Sequence, residues 1–287
     1  MKGSHISRLH LGGAVLALTL VAGCGGGGGG VGSTPAPAPG IAPTPTTSPT
    51  PTPTPTATAT PAATFQTAEY NRSTGPAQHG AIAAWQTGAS GQGVTIGIVD
   101  TGIDTANPEF AGRIASASRD VAGNRGVIGE DDHGTNVALV AAAARDNTGM
   151  MGIAFNSTIA MFRADSPGSC ATENAADPDS GCSFGDNDIA RGIDGAVAAG
   201  AKVINLSLGG GSPNLAVRSA ISRAAGAGVV IVVSAGNDGD STEAGIDPNN
   251  PDPFAAGLRL AGSGNVIIAG SVDKNDQFSA FSNRAGT

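Results

Sequence analysis

Two residues, 33 positions apart, are the first in this sequence that could do chemistry together. Asp100 closes the run Gly93-Val94-Thr95-Ile96-Gly97-Ile98-Val99-Asp100-Thr101-Gly102, and His133 sits in Asp132-His133-Gly134-Thr135-Asn136-Val137. An apolar, β-branched run ended by Asp-Thr-Gly predicts a buried parallel strand and a tight turn. Val137, Val140, Ala141 and Ala144 recur at i, i+3, i+4 and i+7, which predicts a helix with those residues as its apolar face and His133 at its start. A strand-end carboxylate can orient an imidazole, and the imidazole can move a proton. Together they are two of the three parts of a hydrolytic triad, and the third is a nucleophile.

The elements that must position this pair occupy only part of the chain. Met1–Gly23 carries Lys2 and Arg8, an apolar run from Leu11 to Val21, and Ala22-Gly23 before Cys24. That is the pattern of a secretory signal, too short for a membrane span. Val21-Ala22-Gly23-Cys24, followed by six glycines, also resembles a bacterial lipobox, with an ordinary signal peptide as the alternative. Under the lipobox reading, residue 24 becomes a lipidated N-terminus and acyl chains hold the protein on a membrane. The expected location is then outside the cytoplasm, on the periplasmic or cell-surface side of a bacterial membrane. Residues 24–64 are Gly-rich and then Thr/Pro-rich, and Gly25–Thr64 holds no charge. This composition buries too little to offset chain entropy and predicts a disordered linker. In polyproline II, Thr34–Pro61 would reach roughly 85 Å.

Residues 65–287 are the expected folded domain. Removing Lys2 and Arg8 with the signal takes the net charge from −8 to −10, and no basic cluster remains, which argues against nucleic acid as a partner. Beyond the signal the histidines are His79, read as a surface residue, and His133. Cys170 and Cys182 remain after Cys24. Two cysteines twelve apart in an exported polar loop predict a disulfide worth at most about 3 kcal/mol, with two free thiols as the alternative.

Along the domain, Ala77–Trp85 predicts a short helix and Val94–Val99 the first strand. The His133 helix follows, then a strand at Ser157–Arg163 and a surface loop over Asp165–Asp186. A helix through Ile189, Ile193 and Val197 ends at Gly200, and Lys202–Leu208 is a strand. Ser212-Pro213 reads as an N-cap with proline at the first helical position, and Val217, Ala220, Ile221 and Ala224 give that helix its stripe. Val229–Ser234 and Asn265–Ala269 are the last strands. The alternation predicts an α/β domain with a doubly wound parallel sheet, in which sites lie beyond the carboxyl ends of strands. Asp100, Ser207 and Asn237 all fall there.

Val99-Asp100-Thr101-Gly102, His133-Gly134-Thr135, Asn205-Leu206-Ser207-Leu208-Gly209-Gly210 and Ser234-Ala235-Gly236-Asn237 resemble, in order, the blocks of subtilisin-like serine proteases. Glu69-Tyr70, Phe281-Ser282-Asn283-Arg284 and the cysteine insertion resemble the bacterial autotransporter or lipoprotein branch of peptidase family S8. The resemblance implies an endopeptidase acting on extended polypeptides. In it Asp100 orients His133, His133 is general base and then acid, and Asn237 donates to the oxyanion. Ser207, Leu208 and Gly209 would pair with the substrate backbone, and Ala235 and Gly236 would line the pocket for the residue before the scissile bond. No cofactor is required. Calcium is common in the family, but no metal ligand is assigned: Glu130-Asp131-Asp132 reads as a solvated acidic loop, with calcium binding as the alternative. Asp-Thr-Gly also begins aspartic-protease loops, but that chemistry needs a second loop. The one mate, Asp179-Ser180-Gly181, follows Asp177-Pro178 in place of an apolar strand.

The family's nucleophile lies in a Gly-Thr-Ser-Met/Phe-Ala-x-Pro block, which these residues do not contain. Ser263 and Ser241 lack the flanking pattern. The expectation is a C-terminally truncated subtilisin-type sheet, incomplete at its end, that by itself folds poorly and does not cleave. Against the protease reading stands a membrane-tethered, non-catalytic peptide-binding pseudoprotease.

Overall fold

Short β-branched runs alternating with alanine-rich helices need one sheet with helices against it, and that is the arrangement found. The computed structural model describes residues 59–172, 182–242 and 245–286. The predicted signal, Cys24, nearly all of the linker and the stretch 173–181 between the paired cysteines lie outside them. In chain order the elements are helices α1 (Gly75–Gln78) and α2 (Ala81–Gln86), strands β1 (Thr95–Asp100) and β2 (Arg119–Asp120), and helix α3 (His133–Ala142). Strand β3 (Thr158–Arg163), α4 (Asp186–Ala198), β4 (Val203–Leu206), α5 (Leu215–Gly226), β5 (Val230–Ser234), α6 (Pro253–Gly262) and β6 (Val266–Ala269) follow.

The six strands are parallel in the order β2-β3-β1-β4-β5-β6. From β1 the chain crosses to the edge strand β2, comes back to β3 beside β1, and then winds outward from β4 to β6 on the other side. The switch point therefore falls between β1 and β4, where a crevice opens at the strand ends. Residues alternate between the two faces. Val99, Phe162, Ile204, Leu206, Ile231 and Val233 join α4, α5 and α6 in one core. Ile96, Ile98, Ile159 and Met161 meet Ala138 and Ala142 of α3 on the other. That second face is less covered toward β6, where Val203, Val230 and Val232 are half-buried and Ile267 is 53% exposed.

Several local readings need correction. The buried face of α3 is Gly134, Thr135, Ala138 and Ala142, while Val140 is 62% exposed. Packing distance, not hydrophobicity, selects it: only small side chains let the helix approach β1 closely. Asn214, not Ser212, caps α5, accepting from the N–H groups of Ala216 and Val217, and Pro213 is buried against Gly257. The predicted helix over Ala77–Trp85 is two short ones, divided by Gly80 in the left-handed region at φ 61°. Helix α6, with Asp252 as N-cap and Pro253 at its first turn, was not foreseen. The loop after β3 is not wholly at the surface, since Asp165 is inaccessible and Cys170 buried.

Ordered packing begins before Phe65, because Thr60 and Gln86 exchange hydrogen bonds. Downstream, Phe65, Tyr70 and Phe155 surround Trp85, whose indole N–H donates to Ile153 O at 2.8 Å. Buried Glu69 accepts from the N–H groups of Asp146 and Asn147, fixing this segment to the loop after α3. Replacing Trp85 by Ala removes the centre of that cluster and its hydrogen bond. Urea unfolding should show a loss of about 3–5 kcal/mol. A loss under about 1 kcal/mol would mean the cluster does not hold the segment.

Candidate active site

Asp100 is the last residue of the central strand, and its side chain is fully buried. Its Oδ1 accepts from the Thr101 N–H at 2.7 Å and faces His133 Nδ1 at 2.7 Å. Oδ2 is buried without a partner among the described residues. The carboxylate cannot donate, so Nδ1 carries the hydrogen and Nε2 is the nitrogen left to take a proton.

Two glycines permit this closeness. A Cβ at Gly134 would lie 2.2 Å from Gly102 O, and one at Gly102 would lie 2.6 Å from Val127 O. Gly102 also has φ 117°, a conformation that L side chains rarely adopt. Strand end and helix start are further joined by Thr101, whose Oγ1 accepts from the Gly134 N–H at 3.0 Å and donates to Asp131 Oδ1 at 2.7 Å. Asp131 Oδ1 also accepts from the His133 N–H at 2.8 Å.

The acidic run before His133 is therefore not simply solvated. Glu130 pairs with Arg163 at 2.8 Å, and buried Arg163 also pairs with Asp165 at 2.8 Å. Arg125 joins Asp165 to Asp120. Burial pushes the Asp120 carboxyl up, but the Arg125 hydrogen bonds and charge outweigh it and bring the pKa down to about 2.

His133, Asp131, Asp132, Asn136, Cys182, Phe184, Ser207, Leu208, Gly209 and Asn237 line one open cleft of about 620 Å³. Ser207–Gly209 leave β4 there, held by Ser234 Oγ donating to Leu208 O and by Asn205 Nδ2 donating to Ser207 Oγ. Ala235 and Gly236 are buried and do not line this cleft. Two residues to which sequence alone assigns no role in the site tie the strand ends together. Asp252 accepts from the Gly210 N–H and donates its own N–H to Ala235 O. Asn283 Oδ1 accepts from the Asp238 N–H, just past Asn237. The only hint was the Asp-Pro pair at residues 252–253, a helix-start pattern. Cys170 and Cys182 are joined as a disulfide with Cα atoms 4.1 Å apart. Asp131 lies beside them, but sulfurs bonded to each other offer no thiolate to a metal.

An orienting carboxylate, an imidazole, a side-chain amide and an extended strand edge meet at the switch point, as the motif order requires of one protease family. Residues 91–287 match the Subtilase family, peptidase S8. The chain belongs to the subtilase family. It is 33% identical over 213 residues to thermitase of Thermoactinomyces vulgaris, covering 74% of this chain and 66% of thermitase. Over 202 residues it is 33% identical to the thermophilic serine proteinase of Bacillus sp. strain AK1, covering 70% of this chain and 43% of that protein. Over 195 residues it is 30% identical to subtilisin DY of Bacillus licheniformis, covering 68% and 62%. The subtilase chain thus spans 43% to 66% of the length of these relatives.

The hydrogen bond that His133 donates to Asp100 raises the His133 pKa above its ordinary 6.5. Partial burial opposes the rise, and the charges of Asp100 and Asp131 add to it. A raised folded pKa means the native state binds the proton more tightly. The pair's stabilisation is then complete below about pH 6.5 and is lost as pH rises through the folded value. Imidazole NMR titration should give a midpoint above 6.5, and Asp100→Asn should lower it. A midpoint unmoved by that substitution would contradict the assignment.

Proposed function

We propose that this subtilase chain supplies the proton-transfer pair, one oxyanion donor and the substrate strand for serine-type hydrolysis of peptide bonds in extended polypeptides. The observation that carries the reading is the 2.7 Å Asp100–His133 contact opening into a cleft shared with Asn237 and Ser207–Gly209. Asp100 fixes the tautomer of His133 and stabilises the imidazolium. His133 takes the proton of the attacking hydroxyl and returns it to the leaving amine. Asn237, which lines the cleft with His133, donates its side-chain amide to the developing oxyanion, and a donor of this kind in subtilisin is worth roughly 10²–10³ in rate. Ser207, Leu208 and Gly209 add the substrate as an extra strand, while Ala235 and Gly236 stay buried behind the cleft's lining.

The family's serine block is not among these 287 residues, so on this reading a nucleophile has to be supplied from outside them. The half-covered sheet face beside β4–β6 suits a helix bearing that serine. Loss of the serine costs subtilisin about 2 × 10⁶ in turnover, so the chain by itself binds without cutting. A fluorophosphonate probe should leave the 287-residue chain unlabelled. A chain extended to include a Gly-Thr-Ser-x-Ala-x-Pro block should be labelled at that serine, and His133→Ala should abolish the labelling. Labelling of the 287-residue chain itself would sink this reading.

Calcium is common among subtilases. The one group of possible metal ligands that come together among the described residues is Asp131 with Cys170 and Cys182, and the disulfide removes its thiolates, so no calcium site is assigned to these residues.

A further inference from the structure

The Cys170–Cys182 disulfide closes an insertion whose two ends meet at the cleft. The ends are paired by an antiparallel bridge between Asp165 and Phe184 and by the Ser166 N–H donating to Ser183 O. The Ser183 N–H donates to Ser169 Oγ. Cys170 is buried, whereas Cys182 is half-buried and lines the cleft with Phe184, across from Leu208 and Gly209. Cys182 and Phe184 also line the adjoining hollow with Ile189, Leu208 and Phe254. The disulfide is thus part of the wall that an extended peptide would touch.

It also reaches the proton-transfer pair. Cys182 Sγ rests against Asp131 Oδ2, and Asp131 Oδ1 holds both the His133 N–H and the Thr101 hydroxyl. On the other side, Cys170 Sγ lies 3.5 Å from Asp165 Oδ2, a carboxylate fixed by Arg125 and Arg163. The S–S bond therefore sits between two anchored carboxylates, touching one with each sulfur. Backbone pairing with Asp165–Ser169 holds Ser183 and Phe184, and the S–S bond adds the tie that fixes Cys182 itself to buried Cys170.

We propose that the Cys170–Cys182 disulfide is a positioning element of the substrate cleft: it holds the Cys182–Phe184 wall against Asp131, so that reducing it weakens peptide binding while the sheet stays folded. The proposal rests on the peptide-cleft reading given above. The step is a two-electron reduction. A dithiol reductant supplies two electrons and two protons to the S–S bond and leaves as its own cyclic disulfide. Cys170 and Cys182 are released as thiols. The freed Cys182 S–H is then a new donor beside Asp131 Oδ2, on the carboxylate whose Oδ1 holds His133, and the wall loses its covalent tie to Cys170.

The test uses the full 287-residue chain and a fluorescein-labelled Ala-Ala-Pro-Leu-Ala-Ala peptide, with binding read by anisotropy. Dithiothreitol should weaken binding at least threefold, and reoxidation should restore it, while the far-UV circular dichroism stays unchanged. The amide resonances of Thr101 and His133 should shift on reduction. The Cys170→Ser/Cys182→Ser chain should match the reduced protein without responding to dithiothreitol. Equal binding in both redox states overturns the inference and leaves the peptide-cleft reading standing. Binding in neither state overturns both. Loss of the dichroism signal on reduction overturns the inference by making the bond a general staple of the fold.

Discussion

A carboxylate with no access to water, placed at the end of the central strand, is the constraint on which the rest of this domain depends. Burying that charge is costly unless donors answer it. Here the Thr101 N–H and the His133 imidazole both reach Oδ1 of Asp100. The imidazole can do so only if α3 starts almost in contact with the turn after β1. This explains why Gly102 and Gly134 face each other with no room for a methyl group. It also explains why α3 packs through Ala138 and Ala142, with larger side chains kept off the sheet. The chemistry sets the packing distance, and the packing distance sets the composition of the helix.

The second half of the site is organised by hydrogen bonds between strand ends. Ser207–Gly209 and Asn237 follow different strands, and parallel pairing of β4 with β5 fixes only their starting points. Beyond the sheet, Ser234 holds Leu208, Asp252 holds Gly210 and Ala235, and Asn283 holds Asp238. Each of these residues accepts from, or donates to, backbone groups that a turn would otherwise leave unsatisfied. They make no contact with the reacting atoms. Without them, the amide of Asn237 and the edge of Ser207–Gly209 would have no fixed spacing from His133.

Much of this was legible in the residues because the strongest local patterns coincide with the site. A run such as Val229–Ser234 has one plausible use, a strand of the sheet, although Val230 and Val232 on its second face are only half-buried. Asp100 and His133 sit in patterns of equal strength. What was not legible depends on distance and not on residue type. Val140 looks like a core residue by periodicity, yet close approach of α3 to β1 puts small residues inside and leaves it 62% exposed. Asn214 displaced Ser212 as the cap because its Oδ1 reaches two N–H groups of α5. The roles of Asp252 and Asn283 arise between residues 42 and 45 positions apart, and no local pattern encodes them. Asp131 was part of an acidic run in the sequence. Only in three dimensions does it become the link between the disulfide, Thr101 and His133.

The arrangement separates substrate recognition from bond breaking. On the proposed reading, recognition uses the rim of the sheet: a strand edge after β4 and a disulfide-bounded wall from the insertion before α4. Bond breaking uses the Asn237 amide and needs a hydroxyl placed against His133 Nε2. Of these two the hydroxyl weighs more, since in subtilisin an oxyanion donor is worth roughly 10²–10³ in rate and the serine about 2 × 10⁶. On that reading, a cleft with its walls, base and donor in place therefore holds a peptide in the reactive register and still leaves its bond intact.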